Sequence, residues 1–394
     1  MALTVGVPRE TFPGERRVAL TPRSVDALGK LGASVILEQS AGVDAGFPDQ
    51  QYVARSARIG TRAEVFEQSD IVVQVRAFGA NPVEGSADLP LLRAGQLVIG
   101  FGEPLSAAEE TAALARTGVS FFAMELMPRI TRAQSMDTLS SMATIAGYRG
   151  ALLAAEALPK IFPMLMTAAG TITAARVLVL GAGVAGLQAI ATARRLGAVV
   201  SAYDVRSAVK EQIESLGAKF VVLDLPTSGA EGQGGYAKAM DEDFYRRQRA
   251  ALTDIIREQD VLITTAAVPG KKAPILVTAE MAGAMAPGSV IVDIAAERGG
   301  NCELTRPGET VAHQGISILG PLNLASTAPY HASQMYGSNI ASFLKLMVKN
   351  GELNVNREDE IIRETLVTHR GEVVNPRVAE LVGVAAGVHA QQRG

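Results

Sequence analysis

The stretch PRITRAQSMDTLSSMATIAGYRG, residues 128–150, sets Arg129, Arg132, Gln134, Ser135, Asp137, Ser140 and Ser141 in front of an otherwise apolar helical run. A second stretch, VLVLGAGVAGLQAIATARRLGAVVSAYDVR, residues 177–206, reads as a place to hold a dinucleotide. In it Gly181, Gly183 and Gly186 follow the apolar run RVLVL and open the helix AGLQAIATARRLG. The first glycine allows a tight turn, the second lets backbone approach a pyrophosphate, and the third lets helix pack closely on strand. The N-terminus of that helix then offers free N–H groups and a positive dipole end to phosphate.

Three glycines alone are weak evidence, but here an acid, Asp204, ends the next strand-like run, VVSAYD. A carboxylate at that point accepts ribose hydroxyls and repels a 2′-phosphate, which predicts NAD(H) rather than NADP(H) despite Arg206 close behind. Ala182 and Val184 in the turn, Val205 and Arg206 after the acid, and Thr265 and Ala266 at the end of DVLITTA complete the candidate nucleotide contacts in the sheet.

Oxidation of an alcohol or amine moves a proton with the hydride and calls for a His, Lys, Tyr or Cys to carry it. The four histidines all lie late, at His313, His331, His369 and His389, and none falls in the first part of the chain. His313 and His331 flank the last strand-like run and read as packing or hydrogen-bonding groups. Transfer of a hydride between two nicotinamides needs no acid or base, only orientation and exclusion of water. A carboxamide is both donor and acceptor, so a cation, a carboxylate and a hydroxyl can grip it. Arg129, Asp137 and Ser140 supply that set. The same residues also read as an N-capped helix, with Ser135 or Asp137 as cap and a solvated first turn.

These residues need two domains to position them, since 394 residues exceed one ordinary core. Hydrophobic content of 48% with 20% charged residues is that of a soluble globular protein. A net charge of −3 without any Lys/Arg block argues against a nucleic-acid surface. The single cysteine, Cys302, excludes a disulfide framework and a zinc cluster and suits a reducing cytoplasm; no metal site is expected. The N-terminus shows no secretory pattern. The most apolar window, residues 161–180, is broken by Pro163, Gly170 and Arg176 and fails as a membrane span.

LTVGVP, SVILEQ, DIVVQV, QLVIGF and VSFFAM alternate with helical or polar segments, among them TPRSVDALGKLG with Thr21 as N-cap, Pro22 in the first turn and Gly32 beyond the end. That alternation predicts a mostly parallel, doubly wound α/β domain. A helix from about Ser135 to Leu158, stopped by Pro159, forms a spine between domains. RVLVLG, VVSAYD, KFVVLD, DVLITTA, SVIVDIA and ISILG then give the strand candidates of a Rossmann fold. The segment from about Tyr330 onward reads as helical and polar and returns to the first domain. The expected division is 1–137 with 330–394 as one domain and 138–329 as the other, placed around a cleft. The connection over residues 224–249, Gly-rich at SGAEGQGGYAKAM, reads as a surface insertion or a functional lid.

VGVPRETFPGERRVALTP, RITRAQSMDTLSSMATIAGYRGALLAA and VLVLGAGVAGLQAIATARRLGA together resemble the NAD(H)-binding component of proton-translocating nicotinamide nucleotide transhydrogenases, over nearly the whole chain. RAQSMDTLSSMATIAGYRG is the specific part; the other two stretches are shared with alanine dehydrogenase and saccharopine-type enzymes. The resemblance implies that Arg129, Asp137 and Ser140 hold the nicotinamide carboxamide and that Gln134 reaches toward a partner's NADP(H). It implies that Gly181, Gly183, Gly186 and Asp204 bind pyrophosphate and ribose, and that Gln233, Tyr236 and Met240 belong to a loop closing over the nucleotide. It further implies a homodimer docked on a separate NADP(H)-binding subunit and a membrane-spanning proton channel, on the cytoplasmic side of the inner membrane. The chain ends at VGVAAGVHAQQRG with no transmembrane run, as in the split form of that family. Alanine dehydrogenase is the alternative and shares Arg17, which would there face a substrate carboxylate. Against it, Arg76 stands where that enzyme has a substrate lysine, and GEPLS stands where it has a catalytic histidine. Arginine stays charged and carries protons poorly.

Overall fold

The computed structural model describes residues 3–223, 241–267 and 272–383. The chain divides into two compact units, Met1–Met142 with Ser326–Gly394, and Ala143–Ala325. The expected division points, 137/138 and 329/330, lie a few residues from those seen.

The first unit begins with β1 (Thr4–Val7), β2 (Ser34–Glu38), β3 (Arg58–Gly60), β4 (Ile71–Arg76), β5 (Leu97–Phe101) and β6 (Ser120–Ala123). The second unit carries a hairpin, β7 (Leu165–Thr167) and β8 (Gly170–Ile172), then β9 (Arg176–Leu180), β10 (Val199–Tyr203), β11 (Lys219–Phe220), β12 (Val261–Thr264), β13 (Val290–Asp293), β14 (Thr310–His313) and β15 (Ile316–Leu319). The chain then returns to the first unit with β16 (Val348–Lys349), β17 (Glu352–Leu353), β18 (Leu366–His369) and β19 (Glu372–Val373).

Among the described residues the first unit holds an eight-stranded sheet in the order β19-β18-β6-β5-β4-β1-β2-β3. Its strands from β6 to β3 pair in parallel, and β18 and β19 join antiparallel. The second unit holds a seven-stranded sheet, β11-β10-β9-β12-β13-β15-β14, parallel except for β14. Both are mixed α/β units built on parallel sheets, as the alternation of strand and helix signals predicts.

Continuous apolar strands are what a sheet covered on both faces requires. Along β9, Val177 and Val179 enter one core with Ala151, Ala154, Ala189 and Ile190. Leu178 and Leu180 enter the other with Leu252, Ile256 and Met281. Each such side chain contributes roughly 1.5–3 kcal/mol by leaving water, so β9 is fixed from both sides just before the glycine turn.

Three local expectations change. The long helix spans Thr138–Ala157 rather than starting near Ser135, because Thr131–Met136 winds as a tighter 3₁₀ segment first. KFVVLD narrows to the two residues of β11. The C-terminal segment contains the expected helix, Pro329–Met347, but also strands. β18 forms because LVTH is β-branched at its centre and finds the open side of β6, where Thr368 Oγ1 accepts from Phe121 N at 3.2 Å and donates to Val119 O at 3.0 Å. No helix among the described residues is long and apolar enough to cross a membrane.

Candidate nucleotide and hydride-transfer site

The glycine turn leaves the C-terminal end of β9. Gly181 has φ +97°, in the left-handed region where a side chain is strained. A Cβ on it would also meet Thr265 Oγ1 at 2.7 Å. Gly186 lies in the following helix, Val184–Arg195, and a Cβ there would fall 1.8 Å from Gly181 O. Gly183 is different: it is exposed, it is the N-cap residue of that helix, and a Cβ on it would meet nothing within 4 Å. Two glycines are therefore demanded by packing, while the middle one keeps open the side from which a pyrophosphate would approach the helix N-terminus. That arrangement fits the phosphate part of NAD(H).

Asp204 follows β10 and is 7% exposed. Its Oδ2 accepts from Ala182 N and Arg206 Nη2, both at 2.7 Å, and its Oδ1 accepts from Arg206 N and Nε, both at 2.9 Å. A carboxylate has about four lone-pair sites, so the turn and Arg206 engage all of them. The acid stands where the sequence places it, but it is ion-paired rather than open. Thr265 and Ala266 leave β12 beside the turn, with Thr265 Oγ1 donating to Gly181 O at 2.9 Å. Val184 and Val205 are partly buried, at the helix start and directly after Asp204. Gln233, Tyr236 and Met240, with the Gly-rich centre of the expected lid, lie outside the described residues, whereas residues 242–249, read as part of the same connection, begin the helix Glu242–Arg257 behind the N-cap Asp241.

In the first unit, Arg129, Gln134 and Ser135 are exposed on the 3₁₀ segment or just before it. Asp137 caps the long helix, accepting from Ser140 N at 2.8 Å and Ser140 Oγ at 2.6 Å. The cap thus uses the same pair that the sequence reading assigns to a carboxamide, and Asp137 and Ser140 are already bonded to each other. Neighbours hold the segment: Asn339 Nδ2 donates to Ser135 O at 2.9 Å, and Arg132 binds Asp359 at 2.6 and 3.1 Å.

Residues 6–146 match the family described as "Alanine dehydrogenase/PNT, N-terminal domain", and residues 150–376 match "Alanine dehydrogenase/PNT, C-terminal domain". The chain belongs to the alanine dehydrogenase/PNT family. It is 45% identical to the first part of the NAD(P) transhydrogenase alpha subunit of Rhodospirillum rubrum, over 95% of this chain and 98% of that one. A crystal structure of transhydrogenase from Sinorhizobium meliloti superposes with a TM-score of 0.85 at 45% identity, over 94% of this chain and all of that one. Alanine dehydrogenase of Mycobacterium tuberculosis is 27% identical over 97% of each chain.

Within this family member, Arg17 does not stand open. It is 4% exposed in its side chain and binds the wholly buried Glu15 through Nε at 2.7 Å and Nη2 at 2.6 Å. Arg76 joins the same carboxylate at 3.2 Å and lies 4.3 Å over the Phe12 ring. Burial works against the Arg17 charge, but the Glu15 carboxylate outweighs it and the guanidinium pKa is raised. Glu10, accepting from Val75 N at 2.6 Å and Arg76 N at 3.0 Å, is pushed up to about 8 by burial and then by the charge of Glu15. In GEPLS, Gly102 N and Glu103 N donate to Glu125 Oε1 at 2.8 and 2.5 Å. The Glu125 carboxyl is raised to about 7 by burial and then by Glu103. His331 packs edge-on against Tyr330, and His369 Nδ1 shares a hydrogen bond with Ser120 Oγ at 2.8 Å. Among the described residues no cluster of ligand-type side chains could hold a metal.

Sequence reasoning passes over Asp293 and Asn301, both fully buried, Asn301 bonded to Ala266 and Asp293 to Asn301. No motif signals them: Asn301 reaches back to residues 266 and 274, and Asp293 gathers donors from the irregular segment 295–305 as well as Thr264.

Proposed function

We propose that this chain is the NAD(H)-binding subunit of a proton-translocating transhydrogenase and that it exchanges hydride with NADP(H) held on a partner subunit: NADH + NADP⁺ ⇌ NAD⁺ + NADPH. The observation that carries the reading is the open glycine turn after β9, in a chain 45% identical over nearly its whole length to a relative named as a transhydrogenase subunit. Bound NAD(H) supplies the nicotinamide carbon that gives or takes the hydride. The chain's own groups bind and orient. Gly181, Ala182, Gly183, Val184 and Gly186 form the turn that takes the pyrophosphate, Gly181 and Gly186 by shaping it and Gly183 and Val184 by offering backbone N–H groups at the helix N-terminus. Asp204 takes the ribose hydroxyls, which requires Arg206 to yield part of its hold. Arg129, Asp137 and Ser140 hold the carboxamide, and Gln134 reaches toward the partner's nucleotide. Orientation with water excluded lowers the barrier for a reaction that moves no proton. Proton passage belongs to the membrane-spanning partner, and the chain sits on the cytoplasmic side through that partner. The same reading assigns Gln233, Tyr236 and Met240 to nucleotide binding.

The same reading includes a homodimer. The β7–β8 hairpin offers its surface, with Met166 79%, Met164 59%, Ile172 46% and Leu165 43% exposed. An apolar hairpin of this kind suits burial against a second copy. Sedimentation of Met166→Asp tests this: dissociation toward monomer supports it, and an unchanged mass contradicts the hairpin assignment.

Titration of the chain with NADH and NADPH, followed by nucleotide fluorescence, tests the cofactor. Tighter binding of NADH by about tenfold or more is expected from the acid at the ribose position. Equal or tighter binding of NADPH would contradict it.

A further inference from the structure

Asn301 is completely buried, and its side chain makes three hydrogen bonds to backbone. Its Oδ1 accepts from Ala266 N at 2.9 Å, and its Nδ2 donates to Ala266 O at 2.8 Å and Pro274 O at 2.9 Å. The orientation of the amide is unambiguous, since one end meets an N–H and the other meets two carbonyls. The side chain acts on Ala266 as an adjoining strand would, and it ties together both ends of the connection from Ala266 to Pro274.

Asn301 is itself held. Its N–H donates to Asp293 Oδ2 at 2.7 Å, and its carbonyl accepts from Leu276 N at 2.8 Å and Val277 N at 3.0 Å. Asp293, the last residue of β13, accepts further from Thr264 Oγ1, Ala295 N, Cys302 N and Thr305 Oγ1 at 2.6–3.1 Å. This buried acid therefore gathers donors from the end of β12 and from residues 295–305, which follow β13. From Ala266 the hold reaches the glycine turn in one step, because Thr265 Oγ1 donates to Gly181 O and a Cβ on Gly181 would lie 3.1 Å from Ala266 N.

We infer that Asn301, anchored by Asp293, is a positioning residue for the nucleotide pocket: it fixes the Thr265–Ala266 wall against the glycine turn so that the backbone there is set before NAD(H) arrives. The inference rests on the proposed NAD(H) function and adds to it a determinant that touches no nucleotide. Preorganisation of this kind acts on affinity, because an unfixed wall must be ordered at the moment of binding.

The experiment compares the full-length chain with Asn301→Asp, which is nearly isosteric, keeps the acceptor for Ala266 N and sets an oxygen against two carbonyls. NADH affinity is measured by nucleotide fluorescence, and backbone order in the nucleotide-free chain by hydrogen exchange of the peptide spanning 261–267, with one spanning β10 as internal control. The expected result is an affinity loss of about tenfold or more together with faster exchange at 265–267 and unchanged exchange in β10. Affinity within about twofold of the parent, or exchange unaltered at 265–267, overturns the inference. Uniformly faster exchange shows a purely structural role and also overturns it. Should Asn301→Asp fail to fold, Thr265→Val removes the link from the same wall to Gly181 O, and an affinity loss of about threefold together with faster exchange at 265–267 in the nucleotide-free chain supports the inference, while unaltered exchange overturns it. A parent chain that binds no NADH overturns the function on which this rests; a parent that binds with an unmoved variant overturns this inference alone.

Discussion

The two sheets turn at equivalent places and use them in opposite ways. In the first unit the strand order reverses direction between β1 and β4, and in the second between β9 and β12. Open parallel sheets offer ligands a crevice at such points, beyond the carboxyl ends of the strands. Beyond β1 and β4 that place is filled by the protein's own charges: Arg17 and Arg76 on Glu15, with Glu10 bonded to the backbone of Val75 and Arg76. Beyond β9 and β12 stand an exposed Gly183, a helix N-terminus and a packed wall at Thr265. A fold alone does not decide which switch point binds. What decides is whether side chains close it or glycines keep it open.

The largest effect should come from breaking the filled point. Glu15→Gln leaves the buried Arg17 and the partly buried Arg76 without that carboxylate and should destabilise the protein by about 3–5 kcal/mol in denaturant unfolding. NADH affinity of the folded fraction should stay within about twofold. Loss of binding there would mean the two points are coupled.

Gly186→Ala should do the reverse. Its methyl would fall 1.8 Å from Gly181 O, so the turn must move. NADH affinity should drop by about a hundredfold or more in the same fluorescence titration. Retained affinity would remove the glycine turn from the binding account.

Asp137→Asn sharpens the contrast between holding a nucleotide and orienting it. It should slow hydride exchange by about tenfold or more at saturating nucleotide and change NADH affinity by only about two- to threefold, since the adenosine half carries most of the binding. Abolished NADH binding would place Asp137 elsewhere than at the nicotinamide.

The smallest effect concerns pH. Glu10 rises from 4.5 to about 8 on folding, so the folded chain takes up its proton more readily than the unfolded one. The stability this contributes is fully present below pH 4.5 and is lost as pH rises through about 8. Glu10→Gln should flatten that decline in denaturant midpoints measured across the window; an unchanged slope would assign it to another group, Glu125 being the next with a raised value, about 7.

The glycine turn and the α/β class are legible in the sequence because local chemistry dictates them: a positive φ at Gly181, close packing at Gly186 and apolar strands of the right length. Asp204 can be placed in sequence, but its ion pair with Arg206 depends on a side-chain rotamer that no spacing reveals. The long helix starts three residues later than its pattern suggests, because a 3₁₀ turn carries the same polar pattern as a helical first turn. β18 escapes a sequence reading because its pairing with β6, more than two hundred residues away, is decided by tertiary position. Asn301 is invisible for the same reason, since its three side-chain bonds all reach back to residues 266 and 274.

The most direct test of the central claim mixes the purified chain with a transhydrogenase NADP(H)-binding subunit and follows NADPH-driven reduction of an NAD⁺ analogue by absorbance. A parallel cuvette holds the chain alone with NAD⁺ and L-alanine. Hydride exchange that depends on the partner, with the alanine cuvette silent, is the result this account predicts. Turnover of alanine by the chain alone, with no exchange in the mixture, would contradict it.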